Sequence, residues 1–167
     1  FYKFGDAIYL AKIETKYWIE YICKRFENTG KHISPELAEE ICRLVDNHSS
    51  YVQQLSWLLW IRTINTATTE QLSYALEDLL DQNNILFQSE TENLSAYQMN
   101  FLKAIVDGIH TKFSSKEVIS KYNLGTSANI VRLKNALLQK ELIETNGKEI
   151  VLADPVFGVW FKKEMLY

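Results

Sequence analysis

The stretch "NLGTSANIVRLKNALLQKELIETNGKEIVL", residues 123–152, decides the fold of the C-terminal half of this chain. Its first part, "TSANIVRLKNALLQK", repeats apolar residues at helical spacing, which predicts an amphipathic helix. Its second part reads as two short strands around Asn146 and Gly147, because Asn-Gly is the strongest short signal for a hairpin turn. The stretch therefore predicts one helix followed by a β-hairpin.

Two further helices are predicted before this stretch. "SAYQMNFLKAIVDG" carries apolar residues on one face. "SSKEVISKYNLG" begins with Ser114 and Glu117 in capping-box spacing and stops between Asn123 and Gly125. Three helices with a short turn between the second and third, followed by a hairpin, are typical of a winged helix-turn-helix.

The N-terminal half is predicted to be a small helical bundle. The helical segments are "TKYWIEYICKRFENTG", "SPELAEEICRLVDN", "SSYVQQLSWLLWIRTINT" and "TTEQLSYALEDLLDQN". Their expected starts are Thr15, Ser34 with Pro35, and Thr68 with Gln71. The third segment is apolar nearly all round, Trp57 and Trp60 included, which predicts burial on several sides. A strand is predicted for "DAIYLAKI", residues 6–13, and a domain seam for the polar "QSETENLS", residues 88–95.

Composition and charge limit the class of protein. The longest apolar stretches are far too short to span a bilayer, and the opening residues do not resemble a signal peptide, so no membrane partner is expected. Cys23 and Cys42 show no metal-ligand spacing and are predicted to be reduced core thiols of a cytoplasmic protein, in preference to a disulfide. Residues 1–108 hold 9 Lys/Arg and 15 Asp/Glu, whereas residues 109–167 hold 9 and 6. The winged-helix half is therefore mildly basic.

Catalytic motifs are absent from the sequence. It contains no GxxxxGK[ST], GxGxxG, HExxH or GxSxG. The three histidines, His32, His48 and His110, lie in separate segments without a shared ligand spacing, so neither a metal site nor a catalytic triad is expected. The chain alone is predicted not to be an enzyme.

The order of these segments resembles the C-terminal portion of an archaeal-type P-loop ATPase of the AAA+/STAND group. "FYKFGDAIYLAKI" resembles the last strand of the nucleotide-binding core, and "WIEYICKRFENTGK" the first helix of a lid domain. "ISPELAEEICRLVDNHSSYVQQL" resembles the lid segment that carries a Gly-His-Pro-Tyr motif. "LSAYQMNFLKAI", "YNLGTSANIVRLKNALLQKELIE" and "VLADPVFGVWF" resemble a winged helix and its closing Asp-Pro-(apolar)-Phe signature.

The resemblance implies a mostly α fold, a helical-bundle lid followed by a winged helix-turn-helix domain with a small β-hairpin wing. Residues 1–13 are then the end of a core missing from this chain, residues 14–88 the lid, and residues 89–167 the winged helix. The longer parent is expected to bind ATP and Mg²⁺ and to hydrolyse ATP, with its own core as a partner of this region. His48 matches the nucleotide-sensing histidine of the lid motif, although Asn47 and Ser49 replace the neighbouring Gly and Pro. The alternative for His48 is a helix N-terminal residue with a local hydrogen bond.

The third helix of the winged helix is the predicted DNA-reading element. Its candidate contacts are Thr126, Ser127, Asn129, Arg132, Lys134, Asn135 and Gln139, joined by Lys148 on the wing and by Lys112, Lys116 and Lys121 around the second helix. Asn or Gln pairs with adenine, Arg pairs with guanine, and a helix start binds phosphate. Against this stand Glu141, Glu144 and Glu149, which repel phosphates, and the fact that any exposed helix face carries such residues.

Three functional hypotheses follow. In the first, the chain is a non-catalytic region of an ATPase that couples ATP state to the binding of double-stranded DNA or a protein. In the second, the winged helix mediates protein contact or dimerisation and never meets nucleic acid. In the third, the chain is an independent transcription regulator whose bundle binds an effector. The aromatic tail "DPVFGVWFKKEMLY" is expected to pack back on the bundle, its alternative being a partner-binding patch.

Overall fold

The computed structural model describes residues 12–165. Over this range the chain forms eight α-helices and one antiparallel hairpin, which confirms the mostly α prediction. The elements are α1 (Thr15–Glu27), α2 (Pro35–Leu44), α3 (Ser49–Arg62), α4 (Thr69–Glu92), α5 (Ala96–Val106), α6 (Lys116–Tyr122), α7 (Ser127–Gln139), β1 (Ile143–Asn146), β2 (Glu149–Leu152) and α8 (Pro155–Met165). Most of the predicted strand over residues 6–13 lies outside the described residues, and Lys12 and Ile13 are in no strand.

The chain divides into two compact units between Glu77 and Asp78, within α4. The first unit contains α1, α2, α3 and the start of α4. Two predicted helix starts in this unit are confirmed. Ser34 caps α2 by accepting the N–H of Leu37, with Pro35 at the first helical position. Thr68 and Gln71 exchange two hydrogen bonds of 3.0 and 3.3 Å in a capping box.

The start of α1 differs from the prediction. Glu14, not Thr15, occupies the N-cap position, and its side chain makes no capping hydrogen bond. The Thr15 hydroxyl is instead paired with the side-chain amide of Asn47, at 3.0 and 3.3 Å. A tertiary partner has therefore replaced the local capping interaction that the sequence predicted.

The prediction that α3 is buried on several sides is wrong for this unit. Val52, Leu55, Leu58 and Leu59 are buried, whereas Trp57 and Ile61 expose 55% and 51% of their surface. α3 contacts α1 and α2 with one face. Because apolar residues lie all round this helix, their pattern does not say which face packs. Trp57 and Trp60 line an open cavity of about 660 Å³ with residues of α1, among them Tyr21 and Arg25.

The second unit begins within α4. The predicted seam at residues 88–95 is also wrong in its first part, because α4 continues to Glu92. Phe87 and Thr91, four residues apart, are both buried, and the Thr91 hydroxyl donates to the carbonyl of Phe87 at 3.1 Å. The polar residues between them lie on the outer side of the same helix turn. A polar stretch here is one face of a helix and not a linker.

The aromatic tail forms α8 and is buried, as predicted. It packs within the second unit, on α5, β2 and the last part of α4, whereas the prediction placed it on the helical bundle. Asp154 caps the helix by accepting the N–H groups of Val156 and Phe157 at 2.7 and 3.1 Å. Phe157, Trp160 and Phe161 are each 1% exposed. The Trp160 indole donates to the side-chain oxygen of Asn84 on α4 at 2.8 Å, so its polar atom is satisfied in the core.

Both cysteines are free thiols in the structure. Cys42 is fully buried, and this burial raises the pKa of its thiol to about 11. Burial, with a smaller contribution from the charge of Glu27, also raises the pKa of Cys23. Both side chains therefore stay protonated at neutral pH, and Cys42 behaves as a small apolar group of the core, whereas Cys23 is half-buried and lies outside the core that was predicted for it.

Glu90 on α4 gives the second unit a pH-dependent stability. Partial burial, followed by the negative charge of Asp154, raises the pKa of the Glu90 carboxyl. The folded state therefore favours the protonated form. The contribution of this group is fully present below its unfolded pKa of about 4.3 and is lost as the pH rises through the folded pKa.

We expect Glu90→Gln to raise the free energy of unfolding at pH 7, because it removes an ionised carboxylate from this site. The gain should shrink as the pH falls towards 4, measured by urea denaturation at a series of pH values. Glu92→Gln, which removes the same charge from an exposed position on α4, is the control. An equal effect of the two variants at every pH would contradict the role of burial.

Candidate nucleic-acid interface

The helix before the turn, α6, starts one residue later than predicted. Ser115, in extended conformation, is the N-cap, and its hydroxyl accepts the N–H of Val118 at 3.3 Å. The predicted capping box of Ser114 and Glu117 is therefore wrong. Ser114 and Ser115 both fit the preference for serine at an N-cap. The backbone conformation decides which of the two caps the helix.

The turn between α6 and α7 is built from a buried anchor and two left-handed residues. Leu124 is fully buried between Asn123, at φ 49°, and Gly125, at φ +84°. The Asn129 side-chain amide donates to the carbonyl of Leu124 at 3.0 Å, so the first turn of α7 is bonded to the turn that precedes it. This set of contacts fixes where α7 begins and which face it presents.

The packing of α7 defines its exposed side. Ile130, Leu133 and Leu137 are buried. At about 100° per residue, the side of the helix opposite to these three carries four exposed residues before the last turn, Ala128, Val131, Arg132 and Asn135, and the exposed Gln139 within the last turn. We call these four residues the α7 outer face. Val131 leaves 63% of its surface exposed.

The structure places the predicted DNA-reading residues in different environments. Arg132 and Asn135 lie on the α7 outer face, and Ser127 is the exposed first residue of the helix. Thr126 is the N-cap and makes no capping bond with its side chain. Lys134 is half-buried at the edge, and Gln139 is exposed in the last turn.

Asn129 has a structural role that the sequence did not indicate. Besides its bond to Leu124, its side-chain oxygen accepts a hydrogen bond from the Arg132 guanidinium at 3.0 Å. Asn129 thus connects the turn to the α7 outer face and orients the arginine. Its predicted contact with a base stays a prediction, and it would have to break one of these bonds.

Ala128 and Val131 belong to the outer face but were not singled out from the sequence. Hydrogen bonding to bases selects polar side chains, and these two are apolar. Counting about 100° per residue from the buried Ile130 and Leu133 is the signal that finds them. An exposed valine on this face has no hydrogen-bonding group and so does not meet a criterion based on hydrogen bonds.

The wing is the predicted hairpin with a turn shifted by one residue. Asn146 pairs with Glu149, so the two central turn residues are Gly147 and Lys148 and not Asn146 and Gly147. Among these residues Gly147 alone has positive φ, +60°. This is the pattern of a type II′ turn, where glycine occupies the first central position. Lys148 is therefore exposed at the tip of the wing.

The charges around α7 have mixed signs. Lys112, Lys116 and Lys121, before and within α6, are exposed and could approach a phosphate backbone. On the wing, Glu144 and Glu149 are exposed on either side of Lys148 in the chain. The wing therefore carries no net positive charge, and the cations nearest α7 in sequence are Lys140, which follows it directly, those of α7 itself and those of α6.

The base of the wing is joined to the segment before α6. The N–H of Ile150 donates to the carbonyl of His110 at 2.9 Å, and the His110 ring Nδ1 lies 3.2 Å from the carbonyl of Ile150. His110 thus has a structural partner on β2. These contacts fix the hairpin within the same unit as α7.

His48, the predicted nucleotide-sensing residue, is exposed at the N-cap position of α3. Its side chain makes no capping hydrogen bond, and its ring lies 4.8 Å from that of Tyr51. Asp46 and Asn47, which precede it, both have positive φ. The left-handed pair is stabilised by the bond of Asn47 to Thr15 and forms the turn that leads into α3. The sensing role stays a prediction.

Residues 12–165 show neither a cluster of metal-ligating side chains nor a helix suited to span a membrane. No group of three or more His, Cys, Asp or Glu side chains in this range is arranged to hold a metal ion. Within the same range, none of the helices combines the length and the apolar character needed to cross a membrane.

Comparisons with known proteins agree with the fold. Residues 85–163 match the family model described as "Probable winged helix domain". A solved structure of a Walker-type ATPase of Pyrococcus abyssi superposes with a TM-score of 0.67 at 18% identity, over 90% of this chain and 42% of that one. The chain thus spans less than half of the matched ATPase. The resemblance to the lid and winged-helix portion of such an ATPase is confirmed as a likeness of fold. No match was found among curated proteins.

The turn before α7 can be tested with Gly125→Ala. A Cβ at this position would lie 3.2 Å from Asn129 Nδ2 and 3.4 Å from the Tyr97 ring, and its left-handed backbone costs about 1–2 kcal/mol for an L-residue. We expect the free energy of unfolding in urea to fall by more than that amount. Gly108→Ala is the control, because Gly108 has φ +91° and open space around its Cβ position. Equal losses in the two variants would show that the contact with Asn129 does not matter.

Proposed function

We propose that this chain is the non-catalytic lid and winged-helix region of a P-loop ATPase, and that its winged helix binds double-stranded DNA through the α7 outer face. The family match and the likeness of fold to a Walker-type ATPase support the architecture. We assign the binding of ATP and Mg²⁺ to a nucleotide-binding core beyond this sequence, since the P-loop motif does not occur in it. The cytoplasm is the compartment we propose.

The observation that carries the DNA proposal is the chemistry of the α7 outer face. Arg132 and Asn135 are exposed on the side of the helix opposite to its buried residues. Arg forms paired hydrogen bonds with guanine and Asn with adenine in the major groove. Asn129 holds the Arg132 guanidinium in place, which lowers the entropy that the side chain loses on binding. Arg132 and Asn135 are therefore the two side chains that we propose for base contacts.

Phosphate contacts are expected to be few. The first turn of α7 presents backbone N–H groups at Ser127, which suit a phosphate oxygen. Lys116 and Lys121 on α6, Lys134 at the edge of α7 and Lys148 on the wing can each neutralise one phosphate, for a total of about four. Each phosphate neutralised adds about −0.9 to the slope of log affinity against log salt, so we expect a slope near −3.6. Binding should therefore be weak at physiological salt.

Coupling to the nucleotide state is proposed to use the first unit. One helix, α4, supplies residues to both units, from Thr69 to Glu92. His48 is exposed at the start of α3 and is the residue through which we propose that the lid senses the nucleotide in the parent. The core of the parent is the corresponding partner of this region.

A second candidate function is protein docking or dimerisation by the same winged helix. Two observations favour it. Val131 and Ala128 give the α7 outer face an apolar half, and Glu144 and Glu149 place negative charge on the wing. Exposed apolar side chains next to polar ones are typical of protein interfaces as well.

Anisotropy of a labelled mixed-sequence duplex, titrated with this protein from about 25 to 200 mM salt, separates the two functions. Under the DNA proposal we expect micromolar binding at low salt that weakens steeply as salt rises. Arg132→Ala/Lys134→Ala should reduce the affinity about tenfold or more, because it removes two cations and a base contact.

The control variant is Lys103→Ala/Lys162→Ala, which removes the same charge from exposed positions on α5 and α8. It should lose much less affinity than the α7 variant. Equal losses would indicate attraction by net charge alone. A flat titration at every salt concentration would contradict DNA binding and favour protein docking.

A further inference from the structure

The α7 outer face combines an apolar half with a polar half. Val131 is a β-branched residue with 63% of its surface exposed, and Ala128, one turn earlier, is also exposed. Arg132 and Asn135 flank them on the same side. A valine that leaves most of its surface in solvent gains little stability from burial. Its chemistry is therefore available to a partner.

In the major groove one base carries an apolar group of matching size. The 5-methyl group of thymine projects into the groove and is contacted by small apolar side chains. We propose that the α7 outer face recognises thymine through this methyl group, with Val131 as the contacting residue and Ala128 as its neighbour. This inference rests on the proposed DNA-binding function and adds to it a preference for one base.

The spacing along α7 gives the preferred site a pattern. Val131 and Asn135 are four residues apart, which is about 6 Å along the helix axis. Successive base pairs are about 3.4 Å apart, so the two side chains reach bases about two steps from each other. Asn135 pairs with adenine. The preferred site therefore contains a thymine and an adenine separated by about two base steps, with Arg132 directed to a position near the thymine.

The same face could instead insert Val131 into an apolar pocket of a protein. The two partners differ in one measurable respect. If Val131 contacts thymine, removing the 5-methyl group weakens the binding of the protein to DNA. If Val131 instead binds a protein, the methyl group of a DNA base has no effect on that binding. Replacing thymine by deoxyuridine removes this methyl group and leaves base pairing, phosphates and charge in place.

The test uses the 167-residue protein and two labelled duplexes of about 20 base pairs at 50 mM salt. One has alternating A·T pairs, and the other has deoxyuridine in place of every thymine. In alternating A·T, the base pair two steps from each thymine carries an adenine on the opposite strand, so the expected pattern occurs in each register. Burial of one methyl group corresponds to about a fourfold change in affinity. We expect the thymine duplex to bind about three- to fivefold more tightly than the uridine duplex.

Val131→Ala should bind the thymine duplex as weakly as the unaltered protein binds the uridine duplex, and should show no difference between the two. Ile85→Ala, a control at an 83% exposed β-branched residue on α4, should keep the full difference. This comparison of ratios isolates the contact between Val131 and the methyl group from any change in the DNA itself. Because Val131 is exposed, the variant is expected to fold, which circular dichroism checks.

Three results would overturn the inference. Equal binding of the two duplexes by the unaltered protein would remove the thymine contact and leave the proposed DNA binding in place. A preference for thymine that survives in Val131→Ala would show that the methyl group is sensed elsewhere or through DNA shape. Absence of binding to either duplex at low salt would overturn the proposed function together with this inference.

Discussion

The winged helix depends on the turn that joins α6 to α7. Leu124 is fully buried at its centre, and its carbonyl accepts a hydrogen bond from the side chain of Asn129 in the first turn of α7. Gly125 supplies the left-handed backbone that directs the chain from one helix into the next. Because these contacts fix the rotation of α7 about its axis, they determine which four side chains form its outer face. The candidate function of the chain is set by this local geometry.

Much of the fold could be predicted from sequence because its signals are local. Ser34 with Pro35 and Thr68 with Gln71 form caps from residues within one turn of each other, and such interactions need no knowledge of distant parts. The errors arose where tertiary contacts decide. The polar residues after Phe87 lie on the outer side of α4 and gave the false signal of a linker. In α3 the sequence contained no amphipathic pattern, so the exposure of Trp57 could not be predicted.

The candidate site was predicted in part. The position of α7 and the exposure of Arg132 and Asn135 followed from the spacing of the buried leucines. The role of Asn129 did not follow, because a side chain that bonds backward to the carbonyl of Leu124 looks the same in sequence as one that faces solvent. Val131 was overlooked for a different reason. Its exposure follows from helical spacing, but an apolar residue is assigned to the core by default.

Because the wing carries no net positive charge, the choice between a DNA and a protein partner depends mainly on the α7 outer face. Most winged-helix contacts with DNA that supply affinity are made to phosphates, and these depend on cations. Here the cation at the wing tip, Lys148, lies between Glu144 and Glu149 in the chain, so the wing adds little net attraction. In the proposed complex with DNA, the small phosphate contribution would make the free energy of base contacts comparable to that of the backbone contacts. The same four side chains that would read a base sequence would then also decide whether this winged helix binds DNA at all, or a protein surface instead.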